Sequence, residues 1–530
     1  MRAFAWRRRP LAGREVWGFP VLLAGFLAAP LVGQEPRPWT GEALAGRLRL
    51  GFESVDVRPG ENLGLLGVHA EIFPGAGARE ARQGLYLGLG GFAAVRGERG
   101  GFFVGGLDAG GILPLGPSFA LEAGLFAGGG GGGAAPQGSG LMLRAHAAAE
   151  WRPGSTGLRL EWSRTEFPDG AIGGSSLGLG ASLPWGPSVL RRGVPRPGAP
   201  APASPWRLQA ELLLHRNDDG ARDTRGRPLA TTLGAPGIRL DHFLGGAWFL
   251  TGSAHGALAG SADGFAEFLL GPGLETCLAG PLRAEARLLA GAAGGGEVDT
   301  GGGFLLRPAA GLRLDLSAGT SLALGLSRSE APGGSWSAWT LEAGLAAEVQ
   351  GLDFSAAPGA ILPEGVEALP IDLALADKAA FPGSGARRRD GRPLESPLQM
   401  LGLRLRHPLG GGPFALRGEA WGAFDGGIGG YAEGWFGADL ALPAPRSLDL
   451  RLDLGLGAGG GGGVDVGDGL LLGGGLEAGV ALAEDLRLGL RLGREEAPDG
   501  LYEATVLALA LELRFHVPRA PRRSAGEGLP

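Results

Sequence analysis

Several residue types are scarce in this 530-residue sequence, and each scarcity excludes a class of protein. There is one cysteine, Cys277, so the chain forms no internal disulfide and offers no cysteine cluster for zinc or an iron–sulfur centre. There is one lysine, Lys378, and the net charge is −6 without a basic block, which argues against nucleic acid as a partner. Beyond the N-terminal region, no apolar run is long enough to predict a membrane-spanning helix.

Glycine is abundant, with 105 residues, but it has no three-residue period, which excludes collagen. The N-terminal residues 1–33 predict an export signal, because several arginines precede an apolar segment that begins at Val16 and is interrupted by Pro20 and Pro30. A retained membrane helix is the alternative interpretation of this segment.

The sequence repeats itself three times. The phrase Arg-x-Glu-x-Pro-x-Gly begins at Arg164, Arg328 and Arg494, and a glycine-rich stretch precedes each occurrence by a similar distance. Self-similarity over this length indicates tandem domains, or one large structure built from three pieces. The copies are predicted at residues 45–185, 205–349 and 369–515.

Each copy alternates apolar and polar residues with the period of a β-strand. In the segment "DLRLGLRLGREE" the residues Leu486, Leu488, Leu490 and Leu492 share one face. We count eight such strands in each copy, joined by short turns rich in Gly, Pro and Asp. Neighbouring strands joined this tightly are antiparallel, so the predicted fold is all-β, with an up-and-down meander in each copy.

The leucine face can point to a protein core or to lipid. Strands of roughly 9–13 residues span a bilayer at the tilt of a barrel, and an export signal precedes them. The segment "VLALALELRF" ends on Phe515 and resembles the last strand of Gram-negative outer-membrane β-barrels, as the whole pattern does. The resemblance implies a location in the outer membrane, contact with membrane lipid and lipopolysaccharide, and insertion by the barrel-assembly machinery.

The repeats form either three eight-stranded barrels in tandem or one 24-stranded barrel. Residues 186–204 and 350–368 separate the copies, and the proline-rich character of the first predicts a semi-rigid tether, which favours three barrels. An aromatic residue at the end of the last strand recurs as Trp185 and Phe515. Residues 516–530 are predicted to be a C-terminal tail.

Charged residues alternate in sign on the face opposite leucine. In small barrels similar to OmpA such residues fill the lumen, whereas in a wide barrel they line a channel. An exposed, salt-bridged face of a soluble sheet is the third interpretation. The predicted lumen ladder consists of Arg283, Glu285, Arg287, Asp449, Arg451 and Asp453.

The repeated phrase joins the seventh and eighth strands of each copy. Its Pro and Gly are typical of a turn. Its Arg and Glu, however, fall at alternate positions on the same side of the strand as the preceding leucines, which is the side predicted to face lipid. Two interpretations remain open for these residues: the arginines bind lipopolysaccharide phosphates, or each Arg–Glu pair pins the rim of its hairpin. The pairs are Arg164 with Glu166, Arg328 with Glu330, and Arg494 with Glu496.

No enzyme signature, cofactor motif or metal motif is recognised. Histidine recurs on the second strand as His69, His242 and His407, but its neighbours differ between copies, so a packing role is favoured over metal binding or catalysis. The predicted function is a non-enzymatic outer-membrane barrel protein, structural or surface-binding, with polar plugged lumens. The alternative is a porin-like channel formed by one wide barrel.

Overall fold

A computed structural model describes residues 38–57, 60–74, 83–192, 201–260, 262–317, 319–354, 360, 362, 366–410, 412–445 and 448–519. The predicted export signal lies outside these ranges, as does the end of the predicted tail. Within them the chain forms strands and connections, and no helix is long and apolar enough to cross a membrane.

Twenty-four strands build three barrels, which we number in chain order. Barrel 1 consists of β2 (Gly46–Val57), β3 (Glu61–Ile72), β4 (Gly84–Arg96), β5 (Phe103–Pro114), β6 (Phe119–Gly131), β7 (Leu141–Trp151), β8 (Gly157–Glu166) and β9 (Gly173–Trp185). Barrel 2 consists of β11 (Ala203–Asn217), β12 (Thr232–Gly245), β13 (Trp248–Gly256), β14 (Ala266–Ala279), β15 (Leu282–Gly294), β16 (Phe304–Ser317), β17 (Thr320–Glu330) and β18 (Ser337–Leu352). Barrel 3 consists of β19 (Glu367–Pro382), β20 (Leu398–Pro408), β21 (Phe414–Asp425), β22 (Ala432–Leu442), β23 (Asp449–Gly460), β24 (Leu470–Ala481), β25 (Leu486–Glu496) and β26 (Glu503–Arg519).

Each barrel closes on itself, because its last strand pairs with its own first strand. β9 pairs with β2, β18 with β11, and β26 with β19, and every other pairing between consecutive strands is antiparallel. The predicted all-β fold of three tandem eight-stranded barrels is therefore confirmed. The alternative of one 24-stranded barrel is wrong, since the first and last strands of each copy pair with each other.

The two ends of each barrel differ in what they carry. We call the end that holds the first and last residues of the barrel, Gly46 and Trp185 in barrel 1, the proximal end, and the opposite end the distal end. The turns of the repeated phrase and the glycine-rich segments all lie at the distal end, because they follow strands that run away from the proximal end.

In the first predicted tether, residues 188–192 form a strand. Two short strands, β1 (Trp39–Ala43) and β10 (Ser188–Arg192), pair with each other, and β10 also pairs with β26. Leu190 is buried there against Phe354 and neighbouring apolar residues. Hydrophobic side chains in the predicted tether explain the difference, because they gain more from burial than from remaining in water.

The end of the last strand also differs from the prediction. β26 continues past Phe515 to Arg519, so residues 516–519 belong to the strand rather than to the tail. Phe515 pairs with Ile371 inside the sheet, whereas Trp185 is the last residue of β9 and pairs with Gly46.

Candidate functional site

The lumens contain most of the buried charge of the protein. Because alternate strand residues point to opposite faces, the charged residues that alternate with leucine point inward. The leucines point outward: Leu177 and Leu179 are each 70% exposed. The inward guanidinium groups of Arg207, Arg239 and Arg313 are fully buried, with exposures of 0%.

In barrel 1 the buried charges form a connected network. Arg47 donates hydrogen bonds to Glu71 at 2.6 Å and to Glu122 at 2.7 Å, and Arg159 donates to Glu150 at 3.1 Å. Nearer the distal end, Arg144 donates two hydrogen bonds to Glu53, at 2.9 and 2.8 Å. Guanidinium and carboxylate groups match in geometry and charge, which compensates for their removal from water.

Little space remains among these side chains. A cavity of about 20 Å³ in barrel 1 is bounded by Arg49, His69, Arg144 and Glu161. This volume is room for about one water molecule.

The predicted lumen ladder of barrel 2 lies inside the barrel on β15. Glu285 accepts hydrogen bonds from Arg239 at 3.1 Å and from Arg313 at 2.8 Å. Arg287 forms an ion pair with Glu342, and Arg283, which is one-third exposed at the proximal mouth, donates to Asp315 at 2.9 Å.

The predicted ladder of barrel 3 lies on β23 and is also paired. Asp453 accepts hydrogen bonds from Arg491 at 2.8 and 2.9 Å and is 3.0 Å from Arg417. Nearer the proximal mouth, Arg451 donates to Asp449 at 2.5 Å.

The only lysine of the sequence lies inside barrel 3. Lys378 is 1% exposed, forms an ion pair with Glu433 and donates to Glu495 at 3.2 Å. Its Nζ also lies 4.8 Å from the ring centre of Trp421 and 5.8 Å from that of Trp435. The sequence did not reveal this site, because its carboxylates lie on β22 and β25, which are far from β19 in the chain, and only barrel 3 has lysine at this place.

One cluster in barrel 1 has the composition of a metal site. His69, Glu71 and Asp108 are buried with ligand atoms within 4.8 Å of one another. Arg49 already forms ion pairs with both carboxylates, and His69 Nδ1 lies 3.0 Å from Asp108. The cluster is therefore part of the charge network. The other recurring histidines lie elsewhere: His242 stacks on Trp206 and His407 lies 3.2 Å from the carbonyl oxygen of Pro370.

Apolar side chains close the distal end of each lumen. They come from the distal ends of strands and from the turns, so they form a layer above the charged network. The layer includes Val57, Phe102, Met142 and Phe167 in barrel 1, Leu213, Val298, Leu305 and Trp336 in barrel 2, and Leu398, Val464, Leu471 and Tyr502 in barrel 3.

The arginines of the repeated phrase lie at the distal rims and face outward. Arg164 donates to Glu166 at 2.5 Å, with both side chains 54% exposed. Arg328 lies 3.2 Å from Glu330 and donates two hydrogen bonds to Asp218, at 2.9 and 2.5 Å.

The third copy of the phrase has a different partner. Arg494 lies 4.0 Å from Glu496 and donates to Glu503 across the hairpin at 2.8 Å. In all three copies the Arg is held by a carboxylate of its own hairpin or of a neighbouring turn.

Comparison with known proteins finds weakly similar solved structures and no family. No protein-family model and no curated protein sequence matches the chain. Similar solved structures include the ferric enterobactin receptor PfeA of Pseudomonas aeruginosa (TM-score 0.27, 10% identity, 89% of this chain and 82% of that chain). They also include OccK11 of Pseudomonas aeruginosa (0.21, 13%, 92% and 100%) and OccAB2 of Acinetobacter baumannii (0.22, 8%, 91% and 100%). The solved structures that resemble this chain are thus Gram-negative outer-membrane proteins, and TM-scores this low carry no argument about fold or function.

Proposed function

We propose that the protein is a non-enzymatic β-barrel protein of the outer membrane whose three lumens are closed by their own side chains. The observation that carries this proposal is the filling of the lumens: paired charges in the middle and an apolar layer at the distal end. An eight-stranded barrel is just wide enough for its inward side chains to fill it. The role is structural or surface-binding rather than the passage of solutes.

The outer surface supports placement in a membrane. Its leucines would be costly in water but match lipid, and closed barrels satisfy every backbone group of the spanning strands. Outward aromatic residues lie at both ends of the barrels, where they suit the two boundaries between lipid and water. They include Phe119, Trp151, Trp248 and Phe414 at the proximal ends and Phe268, Phe304, Trp339 and Phe381 at the distal ends.

The filled lumens also argue against catalysis inside the barrels. The buried imidazoles of His69, His146 and His255 are at most 5% exposed, and each contacts a carboxylate of the network. The apolar layer separates these groups from the distal surface.

Lys378 provides a direct test of closure. In folded protein, an amine-specific reagent is expected to modify the N-terminal amine, which serves as the internal control, and to leave Lys378 unmodified until the protein is unfolded. Mass spectrometry of peptides gives both rates from one sample. Modification of Lys378 at a rate close to that of the N-terminal amine would contradict the proposal.

Conductance in a planar bilayer tests the same proposal independently. Protein that shows heat-modifiable gel mobility, and is therefore folded, is expected to insert without steady conductance. A large and steady conductance would identify a channel instead.

We also propose that membrane lipid contacts the outer face and that lipopolysaccharide phosphates contact the arginines at the distal rims. The outward direction of Arg164, Arg328 and Arg494 supports this contact, although each also has a carboxylate partner. Replacing all three with Gln is expected to reduce the lipopolysaccharide that co-purifies, whereas replacing Glu166, Glu330 and Glu496 with Gln is not. An unchanged lipid content in the first variant would show that the arginines serve only to pin the hairpins. Insertion by the barrel-assembly machinery stays a prediction from the resemblance.

A further inference from the structure

The three barrels contact one another through two recurring distal segments. The first, which we call the docking hairpin, joins the third and fourth strands of each barrel and consists of residues 97–102 in barrel 1, residues 257–260 and 262–265 in barrel 2, and residues 426–431 in barrel 3. The second, which we call the glycine-rich hairpin, joins the fifth and sixth strands: residues 132–140, 295–303 and 461–469. Barrel 1 docks on barrel 2, where the amide of Gly100 donates to the carbonyl oxygen of Gly301 at 2.7 Å.

Barrel 2 docks on barrel 3 in the same way. Gly264 of its docking hairpin lies so close to the glycine-rich hairpin of barrel 3 that an added Cβ would be 2.7 Å from the backbone nitrogen of Gly461. Asp263 of barrel 2 also forms an ion pair with Arg389 of barrel 3.

Barrel 3 docks on barrel 1, although these barrels are the most distant in sequence. Gln137 of the barrel 1 hairpin donates from Nε2 to the carbonyl oxygen of Gly429 at 2.7 Å. At the adjoining strand ends, a Cβ on Gly129 would lie 2.8 Å from the oxygen of Gly422, and a Cβ on Gly422 would lie 2.8 Å from the oxygen of Gly129.

The contacts at the three junctions are alike: glycine backbones approach closely, and the docking hairpin of one barrel always meets the glycine-rich hairpin of another. At each of the three junctions a glycine backbone meets the facing backbone at a distance that leaves no room for a side chain, so only glycine fits there. Each barrel contributes one docking hairpin and one glycine-rich hairpin to different neighbours. Such a head-to-tail contact generates a ring when its rotation closes, and open chains when it does not. Here it closes after three barrels.

We propose that the docking hairpin and the glycine-rich hairpin form a general barrel-to-barrel interaction surface, and that its partner, when the ring is open, is a second copy of this chain. Within one chain the linkers hold barrel 3 near barrel 1 at a high effective concentration, so the ring closes before copies meet. Blocking closure leaves complementary surfaces free on barrels 1 and 3. The proposal rests on the fold and is independent of whether the lumens are closed.

Two variants separate the surfaces. Gly129→Leu blocks the barrel 1 side, and Gly422→Leu blocks the barrel 3 side. The nearest atoms to an added Cβ at each of these positions belong to the other barrel, so each variant is expected to keep its own barrel folded. The matched controls are Gly105→Leu and Gly434→Leu, which lie on strands of the same two barrels with nothing within 4 Å of an added Cβ.

The experiment refolds full-length copies with two different affinity tags together in detergent and measures their mass and co-purification. A 1:1 mixture of the Gly129→Leu and Gly422→Leu proteins is expected to form a dimer, because barrel 3 of the first fits barrel 1 of the second. Each variant alone, the wild-type protein and the control mixture are expected to remain monomeric.

Two results would overturn the proposal: a mixture in which both variants fold but remain separate, and association of any single variant or control to the same extent. Heat-modifiable mobility establishes folding for each sample. If leucine prevents folding, Gly129→Ala and Gly422→Ala replace it, since a Cβ alone already meets the facing backbone at both positions.

Discussion

At the scale of the residue, Lys378 shows how strongly the lumen depends on paired charge. Removing one partner of a buried ion pair leaves the other charge uncompensated in a medium of low polarity. Lys378→Met is therefore expected to lower the free energy of unfolding by about 3–5 kcal/mol. Replacing Lys378 with Met and Glu433 with Gln together is expected to recover much of this loss. Urea titration of the refolded protein, followed by tryptophan fluorescence, measures both. A single variant as stable as the wild type would contradict the filled lumen of barrel 3.

The rim arginines are expected to contribute much less, and unequally. Exposed ion pairs contribute about 0–1 kcal/mol. Arg328 binds Asp218 through two nitrogens and lies 5.6 Å from the ring centre of Trp339, whereas Arg164 has Glu166 alone as its ion-pair partner among the described residues. Arg328→Gln is therefore expected to be more destabilising than Arg164→Gln in the same urea assay.

The rim pair of barrel 2 also has a defined dependence on pH. Hydrogen bonds from Arg328 and Ser337 lower the pKa of Asp218 below its ordinary value. A carboxyl whose pKa is lowered by folding contributes stability above its unfolded pKa, and this contribution disappears as the pH falls through the folded pKa. The difference between wild type and Arg328→Gln is accordingly expected at neutral pH and not in strong acid. A difference that persists in acid would assign the effect to the contact with Trp339.

At the scale of the element, the repeated phrase supports the glycine-rich hairpin of its own barrel. Gly170 lies against that hairpin: an added Cβ would be 2.6 Å from the carbonyl oxygen of Pro136, and the amide of Ala171 donates to the same oxygen at 2.7 Å. Gly334 and Gly500 have the same close approach to Gly301 and Gly467. The phrase recurs because in each barrel this turn packs closely against the glycine-rich hairpin, and glycine leaves room for that contact.

Gly170→Ala tests this role. Forcing a methyl group into a filled space costs about 1–3 kcal/mol, so the variant is expected to unfold at lower urea concentration and to weaken the contact of barrel 1 with barrel 3. Gly105→Ala is the matched control, because an added Cβ there meets nothing within 4 Å. Equal stability of the two variants would show that the phrase forms only a turn and does not support the glycine-rich hairpin.

The strands and the pairing of neighbouring strands were predictable from the sequence. The side-chain contacts across each lumen and the contacts between barrels were largely not predictable. Alternation fixes which residues share a face, so the inward direction of Glu285 and Asp453 follows from local sequence. The pairing of Lys378 with Glu433 depends on register across the lumen, which alternation does not specify. The glycine-rich stretches did not indicate the contacts between barrels. Leu190 lies in a strand because it packs against Phe354, which is far along the chain.

At the scale of the whole molecule, closure of the ring makes the order of the barrels arbitrary. Barrel 3 contacts barrel 1 as barrel 1 contacts barrel 2, and the two ends of the described chain also meet. The rings of Trp39 and His516 are tilted with respect to each other with centres 4.4 Å apart, and β10 pairs with both β1 and β26. Chain ends that lie close together tolerate circular permutation.

A permuted protein that begins with barrel 2, continues through barrel 3 and ends with barrel 1 is therefore expected to fold to the same ring. Its new ends lie within residues 193–200, and a short flexible linker joins residue 519 to residue 38. After refolding, heat-modifiable mobility and tryptophan fluorescence are expected to match those of the wild type. Adding Gly422→Leu to the permuted chain is expected to break a contact that now lies between consecutive barrels. This variant is expected to stay monomeric and folded, as Gly422→Leu does in the original order. A permuted chain that fails to fold under conditions in which the wild type folds would show that barrels 1 and 3 are ends of an open array, because in a closed ring every junction between barrels is equivalent.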